Sequence, residues 1–86
     1  MLHGPSSVWR GEKQLANCVH RLRREWFPDS ETTGYTGTIT MVDLQPRLLA
    51  AGSGYALALD DGTRLKCTIQ YRAEDLYTYD VTCSPL

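Results

Sequence analysis

The sequence lacks a long hydrophobic run. Apolar stretches such as residues 48–51 are far shorter than the roughly 18 residues that a membrane-spanning helix needs. Residues 1–5 have neither the basic segment nor the apolar segment of a secretory signal. These absences predict a cytoplasmic protein with no membrane partner.

Motifs for metal binding and catalysis are also missing. The three cysteines form no Cys-x2-Cys pair, and the two histidines are too far apart in sequence for a His-x3-His pair. There is no Gly-x-Ser-x-Gly elbow. The adjacent carboxylates Asp60-Asp61 and Glu74-Asp75 lie in predicted turns, where they are solvated rather than facing one another in a cleft. The sequence therefore predicts no catalytic residue, no metal and no cofactor, and it favours a non-catalytic protein.

The length and composition are those of one small folded domain, residues 1–86. The chain is 42% hydrophobic and 22% charged, which excludes a disordered protein. A chain of 86 residues is too short to bury two cores.

Apolar residues near the N-terminus repeat with helical spacing. The positions that follow the i, i+4, i+7, i+11 pattern are Leu15, Val19, Leu22 and Trp26. Ser6 or Ser7 can cap the first turn, and Pro28 disfavours a helical residue before it. We therefore predict an amphipathic helix over about residues 7–27.

The remainder of the chain alternates polar and apolar residues with the period of β-strands. The predicted strands cover about residues 35–44, 55–59, 63–71 and 76–83. Residues 45–52 could form a short helix that starts near Pro46, or an extended segment.

Side-chain parity sets the register of the two predicted hairpins. A three-residue loop at residues 60–62 keeps apolar side chains on one face, because it pairs Leu57 with Leu65. It also requires Gly62 in a left-handed conformation. The same parity argument pairs Tyr71 with Tyr77 in the second hairpin. That register offsets Cys67 and Cys83 diagonally, so we expect no disulfide between them.

The predicted fold is α+β, with the N-terminal helix packed on one face of a four-stranded antiparallel β-meander. The helix stripe is the one long apolar surface available to cover the apolar face of the sheet. A helix plus a small Sm/SH3-like β-barrel has the same order of elements and is the alternative architecture.

Charge is divided unevenly along the chain. Residues 1–27 carry a net charge of +3, and residues 28–86 carry −4. The predicted helix gathers its basic and polar residues into a stripe, which is the candidate partner-binding site: Arg10, Lys13, Asn17, Arg21 and Arg24. A basic stripe suits an acidic protein surface or a phosphate backbone.

These features favour a small binding protein that acts through a protein–protein contact, either with a different protein or with a second copy in a homodimer. The first alternative is nucleic-acid binding through the basic stripe. The second alternative is a small-ligand-binding domain or an enzyme that uses the exposed sheet face.

Overall fold

Six antiparallel strands close into a barrel in this computed structural model, which describes residues 2–86. The strands are β1 (Leu2–Arg10), β2 (Lys13–Phe27), β3 (Thr32–Met41), β4 (Gly52–Leu59), β5 (Arg64–Tyr71) and β6 (Thr78–Pro85). Their order around the barrel is β1-β2-β3-β6-β5-β4, and β4 pairs back onto β1.

The predicted helix over residues 7–27 is wrong, and the α+β fold is wrong with it. Residues 2–86 contain no helix, so none of them forms a helix long and apolar enough to cross a membrane. The two architectures considered from the sequence both include this helix, and neither describes the barrel. Residues 2–10 and 13–27 instead form the paired strands β1 and β2.

Burial along β2 shows why the helical spacing was misleading. Cys18, His20 and Leu22 point into the barrel and are buried, while Val19 and Arg21 between them are exposed. This is the period of a strand. Because the interior position between Cys18 and Leu22 holds the polar His20, the sequence does not show the alternation of apolar and polar residues that is typical of a strand. Val19 and Leu22, which a helix would place on one face, lie on opposite sides of β2.

The turn between β1 and β2 depends on Gly11. Arg10 pairs with Lys13, so the loop has two residues, and Gly11 takes φ +61° at its first position. A positive φ at that position is the requirement of a type II′ hairpin turn.

Residues 42–51 form an irregular loop, neither the helix nor the strand that the sequence allowed. The loop closes one end of the barrel, because Leu49 is buried and its N–H donates to the Tyr79 hydroxyl at 2.9 Å. The Arg47 N–H donates to the Leu76 carbonyl at 3.1 Å and ties the loop to the segment before β6.

The register predicted for β4 and β5 is confirmed. Leu57 pairs with Leu65, and Gly62 takes φ +91° in the loop.

The register predicted for β5 and β6 is wrong by two residues, since Tyr71 pairs with Tyr79 rather than with Tyr77. The Asp75 carboxylate explains the shift. It accepts hydrogen bonds from the Tyr77 N–H at 2.9 Å and the Thr78 hydroxyl at 2.7 Å. These bonds hold Tyr77 in the loop.

The core lies inside the barrel and draws on every strand. Its buried hydrophobic residues are Val8, Cys18, Leu22, Ile39, Met41, Leu49, Tyr55, Leu57, Leu59, Leu65, Cys67, Ile69, Tyr79, Val81 and Cys83. Tyr71 and Tyr77, which the sequence placed on the same apolar face, are less buried. Residues from β1 and β2 therefore contribute to the interior directly, as wall strands and not as a covering helix.

Gly37 provides a test of the close approach between β2 and β3. A Cβ at Gly37 would overlap the carbonyl oxygen of Arg21, which is backbone and cannot move aside without breaking the ladder. We expect Gly37→Ala to lower the free energy of unfolding by about 2–3 kcal/mol in urea titrations. Thr38→Ala on the outer side of the same strand should cost less than about 1 kcal/mol. Equal losses in the two variants would contradict this register.

Candidate functional site

The barrel separates charge between its wall and its ends. The six strands carry seven of the nine Lys and Arg residues but two of the ten Asp and Glu residues, Glu25 and Asp80. The other carboxylates lie in the segments that connect the strands. The wall is therefore basic and the connecting segments at the ends are acidic, a division that the net charge of −1 conceals.

A shallow groove of about 560 Å³ crosses the outer wall over β2, β3, β6 and β5. Apart from Gly37 and Val81, its lining residues are polar, and we call this surface the basic groove: Arg21, Arg23, Thr36, Thr38, Gln70, Arg72, Asp80 and Thr82. The strand register places these side chains in rows across the wall. Thr38 lies between Arg21 and Asp80 in one row, and Thr36 lies between Arg23 and Thr82 in the next.

Two guanidinium groups in the basic groove have no carboxylate partner. Among residues 2–86 the one ion pair within 4.0 Å joins Arg72 Nη1 to Asp80 Oδ1 at 2.9 Å. Arg21 and Arg23 are two residues apart on the same side of β2, so their Cα atoms are about 7 Å apart. Like charges at this separation repel one another, and a bound anion would relieve that repulsion.

The basic groove continues towards an aromatic end. Arg72 and Asp80 also line a smaller depression with Glu74 and with Tyr71, which is 45% exposed. The Arg47 guanidinium lies 4.2 Å from the Tyr71 ring centroid, and its Nη2 donates to the Arg72 carbonyl at 3.0 Å. The exposed Leu76 follows on the neighbouring loop. The surface thus runs from two unpaired arginines to an apolar anchor.

The structure breaks up the basic stripe that the sequence predicted. Lys13, Asn17 and Arg21 share the outer side of β2, but Arg21 alone of the stripe lines the basic groove. Asn17 borders a separate groove, beside the β3–β4 loop. Arg24 falls on the opposite side of β2. Arg10 lies on β1, where its guanidinium is 4.3 Å from the Tyr55 ring centroid and its Nη2 donates to the Ser53 carbonyl at 3.4 Å.

Arg23 is the site residue that the helical count left out. A period-two count along β2 places Asn17, Val19, Arg21 and Arg23 on one side. That count was the signal available in the sequence. The partners from β3, β5 and β6 depend on the barrel order and could not be found from local pattern.

A second cleft, of about 790 Å³, lies beside the basic groove and shares Thr82 with it. The tip of the β2–β3 hairpin forms one side, where Phe27 packs close to Gly34. Lys66 is the one charged residue along its lining, which is otherwise apolar or hydroxyl-bearing. No carboxylate faces this cleft, so the outer wall stays basic here as well.

Burial changes the chemistry of two polar groups inside the barrel. Burial raises the pKa of the Cys18 thiol to about 11, although a hydrogen bond with Ser6 Oγ at 3.1 Å partly opposes this. His20 is 2% exposed, and its Nδ1 has no hydrogen-bond partner among the described residues. Residues 2–86 also contain no group of three or more His, Cys, Asp or Glu residues that could hold a metal ion.

In comparisons with family models, curated proteins and solved structures, nothing matches the chain. The function is therefore inferred from the geometry of the barrel alone.

His20 predicts a pH dependence of stability. Burial lowers its pKa below the ordinary value of 6.5, and the carboxylates of Asp60 and Asp61 oppose this while His3 adds to it. The unfolded chain then binds a proton more readily than the barrel does. The contribution of the neutral His20 to the free energy of unfolding should therefore be fully present above pH 6.5. It should be lost as the pH falls from 6.5 through the lowered pKa of His20 in the folded barrel.

Urea unfolding of wild type and His20→Leu at pH 5, 6 and 7 measures this effect. We expect the variant to lose less stability than wild type between pH 7 and pH 5, because it cannot take up the proton. His3→Gln is the control, and it should closely follow wild type because burial, and not His3, is the main cause of the lowered pKa of His20. Parallel curves for wild type and His20→Leu would show that His20 does not titrate in this range.

Proposed function

We propose that this protein is a non-catalytic binding domain that contacts an acidic segment of a partner protein through the basic groove. The observation that carries the proposal is the pair of unpartnered arginines, Arg21 and Arg23, in a groove that adjoins a depression lined by the exposed Tyr71. A partner with carboxylates at one end and an apolar side chain at the other would complement this surface.

The chemistry of the groove suits a peptide segment. Arginine binds carboxylates in a bidentate geometry and is less strongly hydrated than lysine, so it is favoured at interfaces. The hydroxyl and amide side chains between the arginines and Tyr71 can hydrogen-bond with peptide groups of the partner. Tyrosine and arginine are also the residues that most often anchor protein interfaces.

Two observations favour protein over nucleic acid. The lining of the basic groove contains no aromatic ring, and the Tyr71 ring beyond its end already has the Arg47 guanidinium 4.2 Å from its centroid. The carboxylates in the connecting segments would repel a phosphate backbone that extended past the ends of the wall. Nucleic acid and a second copy of the chain are therefore alternative outcomes of the test.

The test is fluorescence anisotropy with a labelled peptide of four glutamates followed by leucine and phenylalanine. Arg21→Glu combined with Arg23→Glu should weaken binding about tenfold or more, because the groove then repels the peptide. Arg24→Glu combined with Arg64→Glu is the control, since it gives the same net charge and neither residue lines the groove. This control should bind the peptide nearly as wild type does.

The same titration with single- and double-stranded oligonucleotides distinguishes the alternatives. If an oligonucleotide binds more tightly than the peptide and its binding weakens strongly with salt, the partner is nucleic acid and not an acidic protein segment. An equal loss of peptide affinity in the groove variant and in its control would show that net charge, and not the basic groove, determines binding. Sedimentation equilibrium tests self-association, and a dimer that the groove variant abolishes would make a second copy the partner.

A further inference from the structure

Cys67 and Cys83 lie directly opposite one another on β5 and β6. The two side chains point into the barrel and are 4% and 1% exposed. The Cys67 thiol donates to the Leu65 carbonyl at 3.9 Å. This juxtaposition replaces the diagonal offset that the sequence predicted, because the true register is shifted by two residues.

The register satisfies the main geometric requirement of a disulfide. Directly opposed residues of antiparallel strands have Cα atoms about 4.5–5.5 Å apart. A disulfide spans Cα separations of about 4.4–6.8 Å, so either type of opposed pair falls within range. The two Cβ atoms must approach by a few tenths of an ångström to about 1 Å, which small rotations of the strands can supply.

The third cysteine is poorly placed to compete. Cys18 lies on β2, and β3 stands between β2 and β6 in the barrel. Its ladder partners are Ser6 and Met41, and its thiol is engaged by the Ser6 hydroxyl. The barrel therefore selects one pair out of the three that three cysteines allow.

We propose that Cys67 and Cys83 are a redox-active pair that forms a cross-strand disulfide in the presence of a small disulfide oxidant such as oxidised glutathione. One cysteine thiolate attacks oxidised glutathione, forms a mixed disulfide and releases one glutathione thiolate. The second cysteine thiolate then attacks the protein sulfur of that mixed disulfide and releases the second glutathione. Two electrons pass from the cysteine sulfurs to the oxidant, and the two thiol protons end on the glutathione products.

Burial determines when the pair reacts. The neighbouring Cys83 thiol raises the pKa of the Cys67 thiol well above its ordinary value, and burial raises it further. Because the thiolate is the attacking species, the folded barrel should react slowly. The disulfide should form during refolding, or when β6 opens from β5. Once formed, it joins two of the four strands that lie under the basic groove and restricts the unfolded chain.

The experiment refolds the reduced chain from urea into a mixture of oxidised and reduced glutathione. Free thiols are then alkylated, and the product is analysed by mass spectrometry without reduction. We expect the refolded chain to be about 2 Da lighter than the reduced chain when both are weighed without alkylation. After alkylation it should carry one alkylated cysteine. Proteolysis should give a linked pair of peptides that contain Cys67 and Cys83. The oxidised barrel should melt about 10 °C above the reduced barrel.

Single substitutions assign the pair. Cys18→Ala should form the disulfide as wild type does, whereas Cys67→Ala and Cys83→Ala should retain two free thiols. The peptide map of wild type decides the outcome if a variant fails to fold. Linkage through Cys18, a stable glutathione adduct with no internal link, or three free thiols after oxidative refolding would each overturn the proposal.

Discussion

Four residue pairs between β1 and β4, from Ser6 opposite Leu59 to Trp9 opposite Ala56, close the sheet into a barrel. These pairs join segments that are about 50 residues apart in the chain, so they carry a large loop-closure cost. Once the sheet is closed, every strand has an inner and an outer side, and burial follows the alternation of its residues. The apolar side chains of β3 to β6 then need no covering helix, because β1 and β2 complete the wall around them. Closure also leaves few unpaired strand edges, which in an open sheet would invite association with other chains.

The same closure determines where chemistry can occur. Groups that face inward lose water, so burial lowers the pKa of His20 and raises the pKa of the Cys18 and Cys67 thiols. Charged side chains are confined to the outer wall and to the connecting segments. The basic groove exists because strands that are distant in sequence bring their outward residues together there. Its arginines and its aromatic end come from β2 and from the region around Arg72, which share no local sequence pattern.

Local pattern predicted the parts of the fold that local contacts determine. The β4–β5 hairpin follows from the parity of its side chains and from Gly62, and its register is confirmed. The β5–β6 register is wrong because the carboxylate of Asp75 lengthens the loop, which hydrophobic parity does not reveal. The helix is wrong because interior positions of β2 include His20, while Val19 on the outer side is apolar. Of the five predicted site residues, Arg21 alone lines the basic groove. The other four lie elsewhere, because alternation along a strand and rotation along a helix bring different residues together.

The measurement that tests the barrel most directly compares Leu22→Ala with Val19→Ala in urea unfolding. Leu22 is fully buried and Val19 is 36% exposed, on opposite sides of β2. The barrel predicts a loss of about 2–5 kcal/mol for Leu22→Ala and of less than about 1 kcal/mol for Val19→Ala. An amphipathic helix would place both side chains on its buried face. Large and similar losses in the two variants would therefore contradict the barrel and restore the helix.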